Sequence, residues 1–364
     1  MGLQAKKYFP YYTNREAMAI KNKVHMGIAG CGMIARNVMM LAKIDRIQDI
    51  QFAACMDVNE EAARQFAKRF GIRKVHVDYE SLIADPEIEA IYIAVPHHLH
   101  SDLVSKAIKA GKHVLCEKPI ATSLDDGLAM ARLADDAGIK LGINYMYRYN
   151  GGLYKMVESV RSGLLGKPYY ATVQVPWNRP ASYFEKSPWH KKWETSGGGT
   201  LITQTSHVID LMAWALGKPA NISGEIGTFR FGDLGVEVED IGVGTVKFES
   251  GAIATILGSQ ATKPPKHTQI GFWGEKGSVE CTYWHDIIAR VKYHGIKHVK
   301  TSTPTRGLHA LTRSIRGFAR WVLDGTSYLC NAWEALKPLY IVLSMYESAR
   351  NETKIHCQEL DWWQ

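Results

Sequence analysis

No stretch of this 364-residue chain strings together the roughly 18 apolar residues that a membrane helix requires, so no spanning segment is expected. The first ten residues carry basic side chains with no apolar core behind them, and no secretory signal is expected. Lys6 stands where a myristoylation motif starting at Gly2 needs Ser or Thr. Cysteine is sparse. Cys31, Cys55, Cys116, Cys281, Cys330 and Cys357 lack the paired spacing of a zinc site and the density of a disulfide framework, so no metal is expected. Free thiols fit a reducing, cytoplasmic compartment. There is no internal repeat, no low-complexity tract and no RNA- or DNA-binding module. The net charge of +8 comes from dispersed lysines and arginines, which excludes a nucleic-acid surface and leaves a mild field that attracts small anions.

What is present is an ordinary globular composition, 46% apolar and 22% charged, long enough for two domains. Residues 1–23 read as an N-terminal arm without clear periodicity. From Val24 to about residue 150, short apolar runs alternate with helical segments. Strands are expected at Val24–Ala29, Phe52–Met56, Val75–Tyr79, Ala90–Val95, His113–Cys116 and Leu141–Tyr145. Helices are expected at Met33–Leu41, Glu60–Phe70, Leu99–Ala110 and Leu124–Ala137, several closed by glycine. This is the grammar of βαβ units around a parallel sheet. From 151 to 364 the pattern changes to longer period-two strands, Tyr169–Val175, Asn221–Phe231, Val243–Phe248, Ala252–Gly258 and Thr268–Gly274, joined by turns such as Glu275-Lys276-Gly277. Helices are expected at Ile202–Leu216, Leu308–Leu323 and Ala332–Arg350. The fold class is thus α/β followed by α+β: a Rossmann domain, then a domain built on a large, mainly antiparallel open sheet, whose last helices can pack back on the first.

Between the first strand and its helix lies Gly30-Cys31-Gly32-Met33-Ile34-Ala35, a G-x-G-x-x-A turn. The first glycine permits the sharp turn, the second lets a pyrophosphate approach the backbone, and Ala35 allows close helix packing. Phosphates would then sit at the helix N-terminus, against the N–H groups of Met33 and Ile34. Asp57 ends the second strand, 25 residues after Gly32. An acid there accepts hydrogen bonds from a ribose 2′-hydroxyl and repels a 2′-phosphate, which favours NAD over NADP. Two alternatives stay open: Asp57 as a helix cap, and Arg36, Arg73 or Lys74 accommodating a phosphate. Lys118 follows Val114-Leu115-Cys116-Glu117, at the carboxyl end of a strand where open α/β sheets bind ligands. Its ammonium can stabilise an alkoxide or exchange a proton; the plainer alternative is a surface lysine.

Pro96 and His100, the run from Ala110 to Pro119 with its Glu117-Lys118-Pro119, and Trp193 with Gly197-Gly198-Gly199 resemble the glucose–fructose oxidoreductase / inositol dehydrogenase / MocA family. So do His207-x-x-Asp210, Glu239-Asp240 and Tyr346-Glu347-Ser348-Ala349-Arg350, the resemblance covering about residues 24–355. It implies hydride transfer between NAD and a ring hydroxyl of a sugar, glycoside or inositol. Lys118 and His207 would manage the proton, and Pro96, His97, His100 and Glu117 would lie at the cofactor. Relatives often carry asparagine at the position of His97. Many carry aspartate at the position of Thr203, four residues before the histidine; threonine cannot be a carboxylate base, so His207 becomes the proton acceptor. Helical spacing places Thr203, His207 and Asp210 on one face, where Asp210 either orients His207 or braces the helix.

For substrate contact the candidates are Lys118, Tyr147, Arg148, Trp177, Arg179, Thr203, Gln204 and His207. Tyr147 and Arg148 can equally be interdomain packing. The aromatic segment from Trp177 to Trp193 can stack on sugar faces or serve an oligomer contact. The resemblance further implies a homodimer or homotetramer through the outer face of the sheet. Two other activities fit the same motifs: glycoside cleavage by transient oxidation with retained NAD, and a non-catalytic dinucleotide-sensing regulator.

Overall fold

Strands β1 (Val24–Ala29), β2 (Ile50–Met56), β3 (Lys74–His76), β4 (Ala90–Ile93), β5 (His113–Cys116) and β6 (Leu141–Ile143) form one parallel sheet in the order β3-β2-β1-β4-β5-β6. The computed structural model describes residues 23–284, 288–296, 305–306, 310–357 and 360–363; the expected N-terminal arm lies outside them, apart from Lys23. Val24, Met26, Ile28, Ile91 and Ile93 are fully buried because helices cover both faces, as a parallel sheet requires. Local chemistry sets the boundaries. Asn59 caps helix Glu60–Phe70 by accepting from the Ala62 N–H, and Gly71 ends it at φ 76°. The strand expected at Val75–Tyr79 stops at His76, because Asp78 accepts from the Ser81 N–H and starts a helix at Tyr79.

The second sheet has nine strands in the order β14-β13-β12-β11-β7-β10-β9-β8-β15. These are β7 (Pro168–Pro176), β8 (Pro219–Gly227), β9 (Ile241–Phe248), β10 (Ile253–Ser259), β11 (Thr268–Gly274), β12 (Gly277–Trp284), β13 (Ile288–His294), β14 (Thr305–Arg306) and β15 (Ile355–His356). All neighbours are antiparallel except β7 and β10, which run parallel from Tyr170 opposite Ile253 to Pro176 opposite Ser259. The strand expected to reach Phe231 ends at Gly227. Beyond it the Asp240 carboxylate captures the N–H groups of Phe229, Arg230 and Phe231, taking them out of the ladder.

Helices Ala310–Asp324 and Ala332–Asn351 return to the first sheet. The Ile143 N–H donates to the Cys330 carbonyl at 2.9 Å, and Arg316 Nε lies 3.1 Å from the Asp49 carboxylate. Leu336 packs where a side chain on Gly127 would stand. The helix expected as one piece from Ile202 begins with a π-helical turn, Leu201–Thr205, and becomes α-helical only over Ser206–Leu216. Among the described residues no helix is long and apolar enough to cross a membrane.

Candidate active site

The glycine loop is built as a cradle for an anion. Gly30 adopts φ 93°, and a Cβ there would meet the Ala94 carbonyl oxygen at 2.5 Å, so no other residue fits the turn. At Gly32 the same construction meets nothing within 4 Å. Gly32 is also the N-cap of helix Met33–Ile44; no side chain caps it and its first turn holds no acid, so its leading N–H groups and positive dipole end await a phosphate. Met33 and Ile34 are 69% and 40% exposed at that opening. Asp57 Oδ2 accepts from the Cys31 N–H at 2.8 Å and Oδ1 from the Asn59 N–H at 3.0 Å. This fixes the carboxylate against the loop, and two acceptors leave lone pairs for ribose hydroxyls. The cradle, the uncapped helix and the placed acid fit a dinucleotide.

Two neighbouring loops complete that crevice, and His100 clips them together. Its Nδ1 lies 2.7 Å from the Pro119 carbonyl and its Nε2 3.1 Å from the Val95 carbonyl. Wholly buried, with its pKa pushed down to about 4 by that burial, His100 presents no surface to a ligand. Its expected cofactor contact becomes support for the loops carrying Pro96 and Lys118. His97 is also buried, with Nδ1 2.8 Å from the Ser196 carbonyl, so it locks the first domain onto the second. Glu117 turns one carboxylate oxygen toward the Tyr92 hydroxyl and the Asn144 amide, and burial raises its pKa. These bonds anchor the loop whose next residue is Lys118.

Lys118 Nζ donates to the Thr203 carbonyl at 2.5 Å, bridging the end of β5 to the π turn. The hydroxyls of this segment answer backbone carbonyls: Thr203 to Gly199 at 2.6 Å, Thr205 to Thr200 at 3.0 Å and Ser206 to Ile202 at 2.8 Å. They satisfy acceptors in a turn wound wider than an α-helix. One turn on, His207 stacks on Tyr147 with ring centroids 4.7 Å apart and meets Tyr145 edge-on at 5.7 Å. Its Nδ1 is buried and has no hydrogen-bond partner among the described residues. Burial, and then the Lys118 charge, hold the imidazole well below its ordinary pKa, so it is neutral.

Tyr147 is buried and gives His207 a stacking wall rather than an open surface. Arg148 is buried to 1% exposure, its guanidinium bonded to Asp210 at 2.7 and 2.9 Å, to Glu334 at 2.8 Å and to the Leu329 carbonyl at 2.6 Å. A guanidinium so enclosed cannot reach a substrate; it joins three elements. Asp210 therefore braces the helix and does not orient His207.

Gln204 donates to the Gln260 side chain at 3.2 Å. Trp177 donates to Thr268 Oγ1 at 2.8 Å, and Arg179 lies between the Trp177 and Tyr183 rings. His190, which sequence reasoning left inside an aromatic segment, stacks on Tyr183 at 4.5 Å, packs on Trp189 at 3.6 Å and stands edge-on to His97 at 6.5 Å, ring to ring. Burial, with Lys118 and Arg179, pushes its pKa to about 3.

Sequence reasoning also gave no role to Glu239. Its carboxylate accepts from the Gly199 N–H at 2.6 Å, the Leu201 N–H at 2.9 Å and the Tyr346 hydroxyl at 2.8 Å, and burial raises its pKa to about 7. It fixes the start of the π turn. The triple glycine answers this closeness, since a Cβ on Gly199 would stand 1.8 Å from the Glu239 carbonyl oxygen and one on Gly198 2.2 Å from the Tyr346 hydroxyl.

The oxidoreductase family with an NAD-binding Rossmann fold matches residues 24–145, and the GFO/IDH/MocA C-terminal domain matches residues 154–280. The chain is 32% identical to a 1,5-anhydro-D-fructose reductase of Ensifer adhaerens over 65% of its own length and 69% of the relative's. It is 27% identical to a myo-inositol 2-dehydrogenase of Thermotoga maritima over 70% and 74% of the two chains. The crystal structure of the WlbA dehydrogenase of Bordetella pertussis, in complex with NADH and UDP-GlcNAcA, superposes with a TM-score of 0.82 at 27% identity, covering 92% of this chain and 99% of that one. With both domains matched, the chain belongs to the glucose–fructose oxidoreductase / inositol dehydrogenase / MocA family of NAD-binding oxidoreductases.

Proposed function

We propose that this protein oxidises a ring hydroxyl of a sugar, glycoside or cyclitol, or reduces the corresponding ketone, with Lys118 and His207 handling the proton. The observation that carries this reading is the meeting of Lys118 with the π turn that leads into the helix bearing His207, whose buried Nδ1 has no hydrogen-bond partner among the described residues. NAD, held by Gly30, Gly32, the helix start at Met33 and Asp57, supplies the hydride acceptor when bound; the acid at Asp57 favours it over NADP.

The chain's own part is positioning and proton transfer. The Lys118 ammonium, fixed by a carbonyl that does not neutralise it, stabilises the oxygen on which negative charge develops as the C–H bond breaks. His207, kept neutral, takes the hydroxyl proton; a carboxylate in place of Thr203 would have competed for that role. Tyr147 keeps the imidazole facing the crevice by stacking, and Glu239 keeps the turn in register. The names of the relatives, a reductase of an anhydrosugar and an inositol dehydrogenase, support a cyclic polyol.

The test is absorbance of NADH on mixing protein and NAD with a panel of inositols, hexoses, glycosides and sugar acids. NADH formed from at least one member supports the reading. Cleavage of an aryl glycoside with no net NADH, or NAD binding with no turnover of any member, overturns it.

A further inference from the structure

Arg179 is a cation without a counter-charge. Its Cζ lies 5.0 Å from the Trp177 ring centroid and 4.8 Å from that of Tyr183, and its buried Nε has no hydrogen-bond partner. Among the described residues its guanidinium makes no ion pair within 4 Å. The contrast within the molecule is plain: Arg148 faces Asp210 and Glu334, and Arg316 faces Asp49. The Trp177 and Tyr183 rings hold the guanidinium by cation–π contact, which leaves its fork of donors for a carboxylate.

The fork belongs to the same crevice as Lys118. The backbone N–H of Arg179 donates to the Gln260 carbonyl at 2.8 Å, which ties the base of this side chain to Gln260, whose own side chain accepts from Gln204, next to Thr203. On its other side Tyr183 stacks on His190, whose imidazole feels both Lys118 and Arg179. The carboxylates of this region are already engaged: Glu117 by Tyr92 and Asn144, Asp210 by Arg148, Glu239 by two backbone N–H groups and Tyr346.

We infer that the substrate of this site carries a carboxylate and that Arg179 selects it, so that the polyol is a sugar acid or a cyclitol acid. This rests on the polyol reading above and narrows it. One planar, singly charged group matches one bidentate guanidinium; a phosphate monoester, close to doubly charged, calls for a second cation beside it, and Lys118 is assigned above to the reacting oxygen.

The experiment is calorimetric or ligand-observed NMR titration of the NADH-loaded protein with hexuronic acids, their methyl esters, the parent hexoses and the hexose 6-phosphates. At least one acid is expected to bind roughly 10- to 100-fold tighter than its ester, the range of a charge-assisted hydrogen-bonded pair. Arg179→Met keeps an apolar filling between the rings and is expected to erase that ratio, leaving the parent hexose within about threefold; Arg179→Lys keeps the charge, loses the fork and falls between. Circular dichroism of both variants confirms folding. Equal binding of acid and ester, no acid bound at all, tighter binding of the phosphates, or an equal loss for acid and hexose in Arg179→Met overturns the inference. Oxidation of neutral polyols without any preference for acids sinks this inference alone, whereas preferential binding of acids with no NADH from any polyol sinks the catalytic reading alone.

Discussion

Replacing Asp210 by asparagine separates two roles that the helix spacing left open. The carboxylate lies 2.7 to 3.2 Å from Arg148 Nε and Nη2, and both side chains are fully buried. Asparagine keeps the shape, removes the charge and turns an N–H₂ group toward a donor. Breaking this buried pair from one side leaves the guanidinium with Glu334 and the Leu329 carbonyl but strips its fully buried counter-charge, and costs up to about 3–5 kcal/mol. For a chain of this size that is a fall of roughly 4–7 °C in Tm. His207 keeps its stack on Tyr147, so kcat measured well below the new Tm is expected to stay within about threefold of wild type. The assay pairs denaturant or thermal unfolding with NADH turnover, and the double variant Arg148→Met/Asp210→Leu, which removes both charges, is expected to recover most of the lost stability. An Asp210→Asn protein as stable as wild type but a hundredfold slower would refute this account and restore Asp210 as a partner of His207.

Lys118→Met is expected to cut turnover about 10²- to 10⁴-fold while NADH, followed by its fluorescence, still binds. Two alanine substitutions contrast the glycines: Gly199→Ala, driven onto the Glu239 backbone, loses more than about 3 kcal/mol or fails to fold, whereas Gly32→Ala folds normally and binds NADH at least roughly tenfold more weakly. Burial lowers the pKa of His97 and, to about 4, that of His100. In that window the unfolded chain binds more protons than the native one, so the stability they contribute is complete above about pH 6.5 and falls on acidification by up to about 1.4 kcal/mol per pH unit for each histidine. Glu239, raised to about 7, binds its proton on the native side of the same window and slopes the other way, so urea titrations between about pH 7 and 4.5 compare wild type with His100→Phe; identical slopes for the two contradict the argument. On the open face of the second sheet, Tyr170, Val243 and Ile253 are 43%, 41% and 50% exposed, and Ile253→Lys is expected to lower the molar mass seen by light scattering if copies pair there.

The first domain was legible in the sequence because period, cap and motif agree there. Val24–Ala29, Glu60–Phe70 and His113–Cys116 begin and end where their residues demand. The second domain was less so. Nothing in Asn221–Phe231 marks its stop at Gly227, because the acid that withdraws the next N–H groups, Asp240, comes from beyond the following turn. The parallel pairing of β7 with β10 is a tertiary choice that no local pattern encodes. At the site, Gly30, Asp57, Lys118 and His207 could be named from their neighbours in sequence. Arg148, His97 and His100 could be named but not placed, since burial depends on partners more than 60 residues away for Arg148 and Asp210, and 99 residues away for His97 and Ser196. The π turn did leave a trace, three hydroxyls within Thr203-Gln204-Thr205-Ser206, visible as a signal once their carbonyl partners are known.

That turn also makes the alignment proposed for Lys118 and His207 a matter of residue count. A π-helical turn holds one more residue than the α-helix around it, and each residue of an α-helix turns about 100°. Deleting a single residue within Leu201–Thr205 would let the whole segment relax into an ordinary helix with its packing surface largely kept. The Thr203 carbonyl and the His207 ring would then be rotated about 100° relative to each other, and Lys118 could not meet both. Helical content would survive while the alignment vanished, so on the proposed mechanism a one-residue deletion in this turn is expected to silence turnover even with Lys118 and His207 both retained.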